Sequence, residues 1–126
     1  MRAVDTNVLV RLITGDDPKQ LRAAEDFVQR GAWVSQLALA EAAWVLVSIY
    51  QKKASEIAGA IEMLLNHEHL TIENSEVVSI ALEKFRVKRT VGFSDCLLLE
   101  IARKAGHLPL GTFDRNLGKL DGAERL

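Results

Sequence analysis

Apolar and polar positions along the chain alternate between two periods. Short apolar runs are separated by longer segments in which apolar residues recur every three or four positions. Arg2–Asp5 reads as a short strand, followed by a helix over Thr6–Ile13 that stops near Gly15. Residues 18–30 read as a helix with Pro18 in the first turn and Gly31 just beyond its end, the usual places for those residues. A strand over Ala32–Ser35 leads into an amphipathic helix over Gln36–Tyr50 and a second helix over Ser55–Asn66. A strand at His69–Ile72, a helix over Ser75–Val87 and a helix over Ser94–Ala105 follow. In the last of these Ser94 is the expected N-cap and Gly106 the stop. Leu108–Phe113 reads as a strand, a short helical turn follows Asp114, and Ala123–Leu126 is a candidate edge strand. Strands alternating with helices predict an α/β fold with a mostly parallel sheet. Sites in such folds open at the carboxyl ends of the strands.

Composition narrows the class. The chain has 126 residues and is 48% hydrophobic, with 16 Lys+Arg against 17 Asp+Glu and a formal net charge of −1. That length predicts a single domain over residues 1–126 with enough core to fold without staples. One cysteine excludes a disulfide framework and a Cys-rich zinc module. The longest apolar run, Ala42 to Val47, falls far short of the roughly 20 residues that span a bilayer. Asp5 interrupts the N-terminus too early for a signal peptide. The expectation is a soluble, cytoplasmic protein. Near-neutral charge allows a nucleic-acid partner only if acids and bases are segregated.

Four carboxylates fall in unusual places. Asp5 and Asp114 end predicted strands, where a crevice opens; helix capping explains each taken singly. Glu41 lies four residues after Leu37 and three before Trp44, which puts all three on one otherwise apolar helix face. Asp95 sits in the first turn of its helix, on the stripe of Leu98, Leu99 and Ala102, with Glu100, Arg103 and Lys104 on the other side. The positive helix N-terminus accounts for the turn but not for the inward face. Were the four within about 4 Å of one another, each pair would repel by roughly 4 kcal/mol at an effective dielectric of 20. Such a cluster takes up protons or holds a cation, and oxygen ligands alone favour Mg²⁺ or Mn²⁺ over zinc.

Other chemistry is weaker. Lys84, Arg86, Lys88 and Arg89 cluster ahead of Asp95, and Arg115 and Lys119 follow Asp114. They are candidates for an RNA-binding rim, although charge runs also form solvated helix faces. His67 and His69 lack a third ligand and read as surface loop. Cys96 has no nearby His to activate it and reads as a small buried thiol. Trp33, Trp44 and Phe27 fall at apolar positions and read as core.

Four segments together resemble PIN-domain ribonucleases. They are Ala3-Val4-Asp5-Thr6-Asn7-Val8-Leu9, the stretch Gln36–Glu41, Gly92-Phe93-Ser94-Asp95-Cys96-Leu97-Leu98 and Gly111-Thr112-Phe113-Asp114-Arg115-Asn116-Leu117. Each is weak alone; the ordered set, from residue 3 to residue 117, is specific. The compact length resembles the VapC-type toxins of toxin–antitoxin pairs. The resemblance implies a three-layer α/β/α fold and an acidic pocket of Asp5, Glu41, Asp95 and Asp114 that holds Mg²⁺ or Mn²⁺. Thr6 and Thr112 would assist by hydrogen bonding. It further implies endonucleolytic RNA cleavage leaving 5′-phosphate and 3′-hydroxyl ends, a cognate VapB-type antitoxin and a homodimer.

The chain departs from the pattern twice. Gly92 stands where many relatives carry an acid three residues before Asp95, and Asn116 where many carry Asp two residues after Asp114. These departures motivate one tightly held metal rather than two. They also motivate the alternative of a catalytically silent PIN-fold module that only binds RNA or protein. A haloacid-dehalogenase-like phosphatase needs a second Asp two residues after the first, and position 7 is Asn.

Overall fold

The computed structural model describes residues 1–126. The chain divides into two compact units, Met1–Ser75 and Glu76–Leu126.

The first unit runs β1 (Arg2–Ala3), α1 (Thr6–Thr14), α2 (Pro18–Val28), β2 (Ala32–Val34), α3 (Gln36–Ser48), α4 (Ala54–Asn66) and β3 (Leu70–Ile72). Its sheet has the order β1-β2-β3, both pairings parallel, with Ala32 opposite Arg2 and Leu70 opposite Ala32. Side chains alternate across the strands. Ala32 and Val34 are buried with Trp33 turned out, and Leu70 and Ile72 are buried with Thr71 turned out. Helix starts follow from short polar side chains that satisfy free backbone N–H groups. Asp5 accepts from Val8 N at 3.2 Å, Asp17 from Gln20 N at 3.0 Å and Ser35 from Ala38 N at 3.0 Å. Gly15 closes α1 in the left-handed region at φ 59°, which glycine adopts without strain. Leu9, Val28, Leu39, Leu46, Ile61 and Leu64 fill the interior. Outside it, Arg11 donates to Asp16 and to Tyr50 Oη, tying the α1–α2 loop to the second residue after α3.

Helix α3 corrects the sequence reading. It buries Ala38, Leu39, Ala42, Ala43 and Leu46, whereas Leu37 is 70% and Trp44 64% exposed. The alanines let the helix approach its neighbours closely, and the bulkier residues face out. Trp33, at 36% exposure, also lies outside the core, while Phe27 is half-buried beneath the Arg2 guanidinium, 3.8 Å from its ring centre.

The second unit carries α5 (Ser75–Val87, whose first residue closes the first unit), α6 (Phe93–Ala105), β4 (Leu110–Thr112), a 3₁₀ turn (Leu117–Lys119) and β5 (Ala123–Arg125). Strands β4 and β5 are parallel, Leu110 opposite Ala123 and Thr112 opposite Arg125. The edge strand read from the sequence therefore forms. The N-cap of α6 is Gly92 rather than Ser94, because the helix already includes buried Phe93, packed edge-on against Phe85 at 6.1 Å. Gly106 ends α6 at φ 84°, as expected.

Glu100 is the second correction. It is 4% exposed, not on an outward polar face. Arg103 reaches back to Glu100 Oε1 at 3.1 Å and forward to the Asp121 carbonyl at 2.7 Å. At Gly122, with φ +94°, a Cβ would lie 2.9 Å from the Arg103 guanidinium, so the turn before β5 is closed around that side chain. At Gly118 a Cβ would stand 2.7 Å from the Arg125 Cβ. The fold is thus α/β with every strand pairing parallel, and no helix is long and apolar enough to cross a membrane.

Candidate active site

In the first unit, Asp5 occupies the turn between β1 and α1 and is exposed. One of its oxygens caps α1, so the capping role is real and leaves the second oxygen outside that bond. Thr6, the first residue of α1, donates its hydroxyl to Glu41 Oε2 at 3.1 Å. That bond joins residues 35 apart in sequence and sets the Glu41 carboxylate beside the Asp5 turn. Glu41 is exposed, so its charge needs no buried partner; the apolar face read from the sequence is a solvent-facing one.

In the second unit, Asp95 sits half-buried in the first turn of α6. Burial pushes its carboxyl above the ordinary range, and the neighbouring Asp114 charge adds to that. The helix N-terminus favours the carboxylate but does not outweigh these two effects. Asp114, exposed beyond β4, accepts from Leu117 N at 2.7 Å, and its own N–H donates to Thr112 Oγ1 at 3.0 Å. Thr112 therefore shapes the loop that presents Asp114 toward Asp95. The structure brings Asp5, Thr6 and Glu41 together in one unit, and Asp95, Thr112 and Asp114 in the other.

The donors are all oxygens, the set that suits a hard divalent cation. Asp95 and Asp114 are a like-charged pair that such a cation would relieve. No three His, Cys, Asp or Glu side chains are grouped closely enough to hold a metal as they stand.

The remaining candidates are placed plainly. Lys84 lies half-buried on α5 and Arg86 exposed on its last turn; Lys88, Arg89 and Arg115 are exposed in loops. His67 and His69 have ring centres 5.8 Å apart, and His69 Nε2 lies 3.1 Å from Glu68. Cys96 is buried, with its thiol pushed up to about 11 chiefly by burial and then by the Asp95 and Glu100 charges. That makes it a poor nucleophile, in keeping with the buried thiol read from the sequence. Sequence reasoning missed the Glu100–Arg103 strut. Its only signal was the i, i+3 spacing of opposite charges, which surface pairs share.

The family model described as PIN domain matches residues 2–123, running through both units. Comparison with curated proteins and with solved structures found no match.

Proposed function

The chain belongs to the PIN-domain family, generally nucleases that use Mg²⁺ or Mn²⁺, and from that premise we propose a metal-dependent endoribonuclease. At the family's coarse level the protein is a nuclease. The finer reading has Asp5, Glu41, Asp95 and Asp114 as its acidic residues, in a single domain over 1–126. The observation that carries it is the Asp95–Asp114 pair, where a half-buried carboxyl is held above its ordinary range beside a second acid. Perturbed groups of that kind cluster at functional sites.

Asp95 and Asp114, both in the second unit, would hold the cation. Bound there, a divalent ion supplies Lewis-acid activation of water and offsets charge on the scissile phosphate. Thr6 holds Glu41 in orientation, which suits Glu41 to direct the attacking water or to bind the ion. Thr112 holds the Asp114 loop in its turn. Attack in line at phosphorus leaves a 5′-phosphate and a 3′-hydroxyl.

We further propose the toxin of a VapBC-type pair, cytoplasmic and homodimeric, restrained by a cognate antitoxin. Exposed Leu37 and Trp44 flanking Glu41 support a protein partner at that face. The competing reading is a silent binding module. Gly92 and Asn116 motivate it.

Cleavage of a panel of tRNA, rRNA and single-stranded RNA by wild type and Asp5→Asn, with Mg²⁺, Mn²⁺ or EDTA, separates the two. Discrete metal-dependent cuts lost in the variant support the nuclease. RNA bound but uncut by wild type supports the module.

A further inference from the structure

We propose that the groove lined by Lys84, Lys88 and Lys119 is a track for the phosphodiester backbone of the RNA. The inference rests on the nuclease reading for its choice of polyanion. The groove has a volume of about 360 Å³ and lies wholly within the second unit. Lys84 comes from the last turn of α5 and Lys88 from one residue past its end; Lys119 ends the 3₁₀ turn. Arg86, Arg89 and Arg115, equally basic in the sequence, do not line it.

None of the three ammonium groups has a carboxylate within 4.0 Å, a state they share with Lys53 and Arg89; what distinguishes them is that they converge on one groove. Lys84 and Lys88 are like charges four residues apart that repel weakly, and the negative C-terminal end of α5 offsets part of that repulsion. Of the two acids on the rim, Glu83 and Asp121, the second is directed to Arg103, with Oδ2 at 4.0 Å from Nη1. The groove therefore keeps a positive balance in a chain of net charge −1.

Its place fits the proposed chemistry. The Asp114 carboxylate caps the turn that ends in Lys119, and five residues of chain span at most roughly 17 Å. No aromatic side chain lines the groove, while Val87 and Leu120 give it an apolar wall. Lysine point charges without stacking platforms hold phosphates and do not read bases. The track is therefore indifferent to sequence, and target choice lies elsewhere.

The test is the salt dependence of binding of a labelled single-stranded RNA, followed by anisotropy on the full chain in EDTA. Each phosphate contact contributes about 0.7 to the slope of log K against log salt for single strands. Lys88→Gln/Lys119→Gln, both at exposed positions, should flatten the slope by about 1.4 and weaken oligo-U and oligo-A equally. Lys52→Gln/Lys53→Gln should leave the slope unchanged. A slope unaltered by the first pair, or a loss confined to one base composition, overturns the track. RNA cleavage retained alongside that result leaves the nuclease reading standing. Wild type that neither binds nor cuts any RNA overturns both.

Discussion

The two units carry acids of the same kind in different circumstances. In the first, Glu41 is exposed and accepts a hydrogen bond from Thr6, so water and one hydroxyl accommodate its charge. In the second, Asp95 is half-buried beside Asp114, and its carboxyl is raised by burial and by that like charge. An exposed acid costs little and tolerates change. A half-buried acid beside another is held in place by the surrounding packing and stores an unfavourable interaction that a cation can relieve. The same contrast separates two arginines. Arg11, itself half-buried, pairs with an exposed Asp16 and with Tyr50, whereas Arg103 neutralises a Glu100 that is 4% exposed.

The arginines give the largest stability contrast. Arg103→Met leaves Glu100 buried without its ion pair and should cost about 3 kcal/mol in urea unfolding, since breaking a buried pair is strongly destabilising. Arg103→Met/Glu100→Met should recover most of that. Arg11→Met should cost much less, as pairs with an exposed partner do. Equal losses from the two single variants would remove the distinction between the units.

Cleavage comes next. Asp114→Asn should reduce metal-dependent RNA cleavage by at least about 100-fold, beyond the effect of a residue that merely supports a metal ligand. Thr6→Val removes only the bond that orients Glu41 and should cost about 10-fold, at the lower end of such supporting effects. A Thr6→Val enzyme as impaired as Asp114→Asn would assign Thr6 a direct role.

The smallest effect concerns pH. Because the Asp95 carboxyl titrates above its ordinary range when folded, the folded chain holds that proton more tightly than the unfolded chain. The stabilising contribution is complete below the ordinary carboxylate value and is lost as pH rises through the raised one. Asp95→Asn should therefore melt a few degrees higher than wild type at neutral pH without metal, and the gain should fade on acidification below the ordinary carboxylate value. Removing a strained functional group commonly stabilises in this way. A gain that persists unchanged at low pH would mean that the Asp95 charge is not its source.

Much of the site was legible as residues and little of it as geometry. Asp5 and Asp114 stand where the pattern put them, beyond the ends of strands, and Asp95 in the first turn of its helix, because caps and turns are local. The surroundings of Glu41 were misread because α3 is apolar on nearly all sides. Periodicity there cannot distinguish the alanine face that packs from the Leu37 and Trp44 face that does not. Glu100 was misread for the complementary reason: a charged residue at a surface-like spacing was drawn inward by Arg103, which also holds the Asp121 carbonyl.

The order of helices and strands, the stops at Gly15 and Gly106 and the parallel α/β character followed from the sequence by itself, since they depend on side chains acting over a turn or two. Strand register, the buried face of α3, the closure of Gly122 around Arg103 and the pairing of Asp95 with Asp114 were decided only by the tertiary structure. Each of these depends on which distant groups share a space and on how much water is left between them, and neither is set by spacing along the chain.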